Sequence, residues 1–379
     1  MPVPRRLAVA LAAASLLAGA TGEDERAQEL FEQHRWFELR DVPVSNPYAA
    51  ALIKGALAAA FNHPKDAELS LRRAIRLGKT SEQVNAARDK LIALDLRQGR
   101  TREAVSQLRA RLRKAKTPSP ETQSVLDVFG PLAKSGDATV RIPREGSDLP
   151  CTVSKAGVVL SIEVNGKKVA WLLDTGFNFS GVSESEARAL GITIHDAGAS
   201  VRDEAGGQAQ TKSGVAERMV IGGIEFRNVP FLVFPDAQAP WNDWPVERRG
   251  IIGLPVAVAM QTLRWRGDGT CRGGFPVAAG GQSNLAFDDF NLVIRAAVGG
   301  RALDLIFDTG NQAGTQVWER LEPGDLRVEA GGFTVALDPA RGVSRPPGND
   351  WQHGLLGVDT ITAAREVTLD FRNMTATLR

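Results

Sequence analysis

Residues 158–176 read VVLSIEVNGKKVAWLLDTG, and residues 292–310 read LVIRAAVGGRALDLIFDTG, in register without a gap. Each copy is an apolar-alternating strand, a tight turn at Asn165-Gly166 or Gly299-Gly300, a second strand, and then Asp-Thr-Gly. The apolar pairs Leu172-Leu173 and Ile306-Phe307 put each aspartate just past a buried strand. The stretch is a duplication, and it supplies two carboxylates, Asp174 and Asp308, that a pseudo-dimer brings face to face. Taken singly, either triplet is an ordinary Asx-type turn after a strand. Framed twice, the pair implies chemistry that needs two acids.

The 379 residues allow two or three domains, and a net charge of +2 gives no electrostatic case for nucleic acid. Arg5-Arg6, the apolar run Leu7 to Leu17 and Ala18-Gly19-Ala20 make residues 1–22 a secretory signal cleaved near Ala20. An uncleaved anchor is the alternative, and no later segment is apolar for long enough to span a bilayer. The expected location is periplasmic or secreted. In that compartment Cys151 and Cys271 either form a disulfide that ties off one lobe or stand as two thiols. Four scattered histidines, with no C-x-x-C or H-E-x-x-H, give no metal site.

Residues 23–134 carry helical spacing. Tyr48 to Leu77 is broken at Asn62-His63-Pro64, and Val84 to Leu112 at Gln98-Gly99-Arg100. GALAAAFNHPKDAELSLRRAI followed by KLIALDLRQGRTREAVSQL resembles degenerate tetratricopeptide repeats. A plain antiparallel bundle reads nearly as well. Residues 135–150 have linker composition. Beyond them come short strands and Gly-rich turns, including Val215 to Val220, Ile224 to Phe226, Pro230 to Phe234 and Val367 to Phe371. Ser183 is placed to cap a helix to Leu190, with a counterpart expected at Gln312 to Leu321.

The two triplets, each followed by an apolar-apolar-Gly signature (Ile251-Ile252-Gly253, Leu355-Leu356-Gly357), make residues 150–379 resemble retropepsin- and pepsin-like aspartic peptidases. Arg202 to Gln208 sits where that family's flap hairpin falls, and Ile221-Gly222-Gly223 with Asn228-Val229-Pro230-Phe231 matches the strands after it. The resemblance implies a multidomain α and β chain: the helical, TPR-like domain, then a two-lobed all-β acid-protease fold, with lobes at 151–275 and 285–379. It implies catalysis by Asp174 and Asp308, supported by Thr175, Gly176, Thr309 and Gly310. Gly206 and Gly207 of the flap, with Phe177 and Asn311, are expected to border the substrate. No cofactor is required. Two close carboxylates share a proton; one activates a water while the other polarises the scissile carbonyl.

Two departures stand out. The residue after each triplet is usually small in this family, and here it is Phe177 and Asn311. From Asp308 to Gly357 is 49 residues against 79 from Asp174 to Gly253, so the second lobe lacks a full flap. That asymmetry suits a single-chain monomer. Trp241 and Trp244 either line a pocket or fill core. The expected partner is a peptide or protein substrate. The helical domain is open to docking a substrate, docking a protein partner, or gating the cleft. The rival readings are an inactive relative that grips an extended peptide by strand addition, and a helical scaffold whose C-terminal part is structural.

Overall fold

The computed structural model describes residues 22–114, 119–202, 208–237, 241–243, 249–278, 280–321, 327–337, 345 and 351–379. Helices come first: α1 (Gly22–Glu32), α2 (Trp36–Leu39), α3 (Pro47–Ala60), α4 (Pro64–Leu77), α5 (Ser81–Arg97), α6 (Thr101–Lys114) and α7 (Pro120–Leu132). The two expected breaks separate α3 from α4 and α5 from α6. Local chemistry sets these ends. Asn46 Oδ1 accepts from the N–H groups of Tyr48 and Ala49 at 3.0 and 3.1 Å, and Pro47 occupies the first turn, where its missing N–H costs nothing. Each of α3 to α7 packs on its neighbour in sequence. From Ala87 to Arg97 every residue of α5 is buried. Its charges therefore need partners. Arg100 reaches Asp95 at 2.6 Å and Arg111 meets Asp89, while Lys90 and Arg97 reach into the sheet-rich part of the chain. No helix among the described residues is long and apolar enough to cross a membrane.

The sheet-rich part is built twice. The first copy runs β1 (Thr139–Arg141), β2 (Ser147–Leu149), β3 (Cys151–Ser154), β4 (Gly157–Val164), β5 (Lys167–Leu173), β6 (Ser180–Ser183), α8 (Glu184–Ala189), β7 (Thr193–Arg202), β8 (Gln208–Ile221), β9 (Ile224–Phe234), β10 (Gly250–Ile252), α9 (Leu254–Ala259), β11 (Thr262–Arg266) and β12 (Cys271–Gly273). The second runs β13 (Leu285–Asp288), β14 (Asn291–Val298), β15 (Arg301–Phe307), β16 (Gln316–Val317), β17 (Arg327–Ala330), β18 (Phe333–Ala336), β19 (Gly354–Leu356), α10 (Val358–Ala363), β20 (Glu366–Asp370) and β21 (Thr375–Leu378).

The copies share one plan. β4 and β5 pair through a turn in which Asn165 (φ 46°) and Gly166 (φ 85°) are both left-handed, the geometry whose twist suits a two-residue hairpin. The apolar-apolar-Gly strand then inserts parallel to the strand before each triplet: Ile251 pairs with Leu172, and Leu355 with Ile306. A five-stranded sheet, β2-β12-β11-β20-β21, joins the copies through antiparallel β11 and β20, with Trp265 opposite Val367. Cys151 and Cys271 are bonded, tying β3 to β12 of this shared sheet.

Two expectations change, and one repeat comes to light. Residues 135–150, read as a linker, contribute β1 on β9 and β2 on β12. Gln312 to Leu321 does not form a helix; it holds only the two-residue β16. The reason lies in the register. At the repeat offset of 134, residues 314–317 are the counterpart of β6, and β16 within them pairs with β19 as β6 pairs with β10; Val317, at the place of the α8 cap Ser183, has no side-chain oxygen. Finally, Ile221-Gly222-Gly223-Ile224 has an equivalent that the sequence reading passed over. Ala330-Gly331-Gly332-Phe333 turns β17 into β18 against β14, as β8 turns into β9 beside β4. The long β7–β8 hairpin has no counterpart among the described residues of the second copy.

Candidate active site

Each triplet leaves the end of its strand and is held from behind by the inserted one. Asp174 N–H donates to Ile252 O at 2.9 Å, and Asp308 N–H to Leu356 O at 3.0 Å. Each glycine amide then fixes its own aspartate: Gly176 N–H to Asp174 Oδ1 at 2.9 Å, Gly310 N–H to Asp308 Oδ1 at 3.0 Å. Both aspartates are only 1% exposed.

The threonines lock the two loops together. Thr175 N–H donates to Thr309 Oγ1 at 3.0 Å and Thr309 N–H to Thr175 Oγ1 at 3.2 Å. The hydroxyls go on to opposite strands, Thr175 Oγ1 to Phe307 O at 2.6 Å and Thr309 Oγ1 to Leu173 O at 2.7 Å. Both threonines are fully buried, and the N–H and hydroxyl of each are satisfied within the protein. This reciprocity brings the acids together. A Cβ on Gly176 would lie 2.3 Å from Asp308 Oδ2, and one on Gly310 would lie 2.1 Å from Asp174 Oδ2. Neither glycine tolerates a side chain, because the opposite carboxylate occupies that space.

The residues after the triplets are used otherwise than expected. Phe177 is buried, its ring against Gly181 and 6.2 Å from the Phe234 ring. Packing, not substrate, takes this side chain, since a ring gains most where it is fully covered. Asn311 closes its own turn, Oδ1 accepting from Ala313 N–H at 3.1 Å and Nδ2 donating to Gly314 O at 3.2 Å. Neither residue offers a hydroxyl to the acids. Gly206, Gly207 and Trp244 lie outside the described residues. Trp241 is buried and stacks on Phe234 at 5.0 Å, a core role.

The one cluster of potentially metal-ligating side chains among the described residues lies elsewhere, at His34, Asp288 and Asp289. There Asp288 accepts from His34 Nδ1 (2.5 Å), Trp36 Nε1 (3.1 Å) and Gln352 Nε2, and Asp289 takes the Lys90 ammonium at 2.8 and 3.0 Å. Lysine supplies the cation, and the cluster joins the helices to the second copy.

Comparison with known proteins bears on the first copy. Residues 160–256, from β4 through the first triplet to Ile251-Ile252-Gly253, match the family model described as Aspartyl protease. No curated protein matches the chain. Among solved structures, a retropepsin-like aspartic protease from Rickettsia conorii is similar at 18% identity and a TM-score of 0.27, over 36% of this chain and 93% of that one. The chain is thus similar to aspartyl proteases in the copy that carries Asp174.

Proposed function

We propose that the protein is an aspartic endopeptidase in which Asp174 and Asp308 activate a water between them. The observation that carries this reading is the threonine lock, which sets each carboxylate against the other triplet's glycine. Two acids so close do not both ionise readily, so the working state of the pair holds one proton. The ionised carboxylate takes a proton from the water as its oxygen bonds to the scissile carbonyl carbon. The protonated one passes its proton to the carbonyl oxygen. Collapse of the tetrahedral intermediate breaks the C–N bond, with a proton delivered to the departing amine. Gly176 and Gly310 amides hold one oxygen, Oδ1, of each carboxylate. The matched family, Aspartyl protease, supports the same reading.

The test is hydrolysis of an unfolded protein mixture between pH 3 and pH 8 by the wild type, Asp174→Asn and Asp308→Asn. Each substitution is expected to lower the rate by on the order of 10²–10⁴ with folding unchanged. The wild-type profile is expected to be bell-shaped, because both losing and gaining a proton disable the pair. Equal activity in all three chains, or a flat profile, would refute the reading.

A second reading, an inactive peptide-binding relative, draws support from Phe177 and Asn311, since neither assists a carboxylate. It predicts peptide binding without turnover in the wild type. We also infer an exported, monomeric protein. The Cys151–Cys271 disulfide supports an oxidising compartment.

A further inference from the structure

The contact between the two copies forms a seam with the threonine lock at its centre. Just beyond each triplet, the chain touches the opposite copy once more, on either side of the lock. On one side Phe179 meets Phe290, ring centroids 5.6 Å apart. On the other Gln312 Nε2 donates to Ala156 O at 2.9 Å.

The repeat offset of 134 makes these crossings equivalent: Phe290 corresponds to Ala156, and Ala313 to Phe179. What the duplication made alike has become unlike. At the first crossing both positions are phenylalanines, buried, and a third ring from the helical region joins them, Phe129 of α7 at 4.8 Å from Phe179. At the second, both positions are exposed alanines, and the contact passes to the neighbouring exposed Gln312. α7 also packs against β7 and β8, the long hairpin of the first copy. Among the described residues, α7 therefore stands at the Phe179–Phe290 end of the seam.

A peptide that offers one bond to both aspartates must lie along the seam, since the acids face each other across it. Each of its arms then leaves over one crossing. We infer that α7, through Phe129, Phe179 and Phe290, plugs one end of the substrate groove, so that the site accepts only a short arm on that side. This inference rests on the peptidase reading. It makes the substrate class a peptide bond a few residues from one chain end, with a long arm leaving over Ala156 and Ala313.

The test is calorimetric binding of the full chain to alanine–leucine peptides in which a hydroxyethylene isostere replaces one peptide bond. The peptides are lengthened one residue at a time on either side of the isostere. Affinity is expected to rise with length on one side. On the other it is expected to fall about tenfold once the arm reaches the plug, a cost typical of a steric clash. Phe129→Ala should relieve that fall and leave the opposite series unchanged. Equal tolerance of both arms in the wild type would overturn the plug, whether or not the variant folds. Hydrolysis of the matching unmodified peptide is followed separately. Its absence would count against the peptidase reading and leave the binding series to decide the plug.

Discussion

At Gly310 a single hydrogen stands where any other residue would carry a Cβ, 2.1 Å from an oxygen of Asp174. Gly310→Ala must push that carboxylate aside by the order of an ångström. A displacement of that size costs about 100-fold in turnover, while folding should persist because Gly310 lies in a loop and its N–H bond is kept. Measuring the rate and thermal midpoint of Gly310→Ala together checks this; near-native turnover would mean that the acids are not the working pair. Thr309→Val is the converse case. It keeps the shape but strands Thr175 N–H and Leu173 O in the interior, each worth about 1–3 kcal/mol when left unpaired. Denaturant titration should find it destabilised, with Thr309→Ser mostly restored. The triplets were legible in the sequence because each stands in the same strand–turn–strand frame, 134 residues apart. Phe177 was not. Its direction is set by Gly181 and Phe234, and nothing local to the triplet encodes the space they leave.

Among elements, the strand pairings of each copy follow from alternation and turn chemistry, and the helix breaks from Pro and Gly. The shared sheet is different, since β11 and β20 pair across about a hundred residues and no local pattern names the partner. The failed helix at Gln312 to Leu321 teaches the same point from the other side: the repeat preserved strand spacing but lost the capping oxygen at Val317. Where pairing is long-range, a covalent tie matters. Cys151 and Cys271 are 120 residues apart in sequence and join β3 to the shared sheet. Replacing both by serine should destabilise the protein by about 2–5 kcal/mol, because the unfolded chain regains a large loop. Urea unfolding of that variant, beside the wild type with and without reductant, checks it. Unchanged midpoints would mean that the shared sheet holds without its clasp.

For the whole molecule, the question is how firmly the helical region is held in its place at the end of the seam. Its polar attachment to the second copy includes, beside the Lys90–Asp289 pair, two carboxylates whose surroundings shift them. Glu38 binds Arg295 at 2.9 and 3.0 Å, and Asp288 gathers His34, Trp36 and Gln352. Burial pulls Glu38 upward, but hydrogen bonds from Arg295 and Arg35 outweigh it and hold its pKa at about 2, below the ordinary 4.5. Burial likewise raises Asp288, and the charge of His34 overcomes it, so this carboxyl too is lowered. A group with a depressed folded pKa stabilises fully above its ordinary value, and that stability is lost as pH falls towards the folded value. For Glu38 the window runs from about 4.5 down to about 2. Asp304, which shares Arg295, is shifted the other way by burial, so its own ionisation costs some stability as pH rises, although Arg295 pairs with the charge. The carboxylates that face α1 to α5 therefore set the acid limit of docking. Hydrogen exchange between pH 6 and pH 2.5 should find protection in residues 22–132 failing at higher pH than in the shared sheet. Glu38→Gln should remove part of that difference. Simultaneous loss in both regions would mean that the helices are not separately acid-labile. If they are, the plug is expected to loosen as pH falls below about 4.5. The isostere peptides lengthened on the plugged side should then bind better at pH 3 than at pH 6 relative to the opposite series, a change that the same calorimetry would detect.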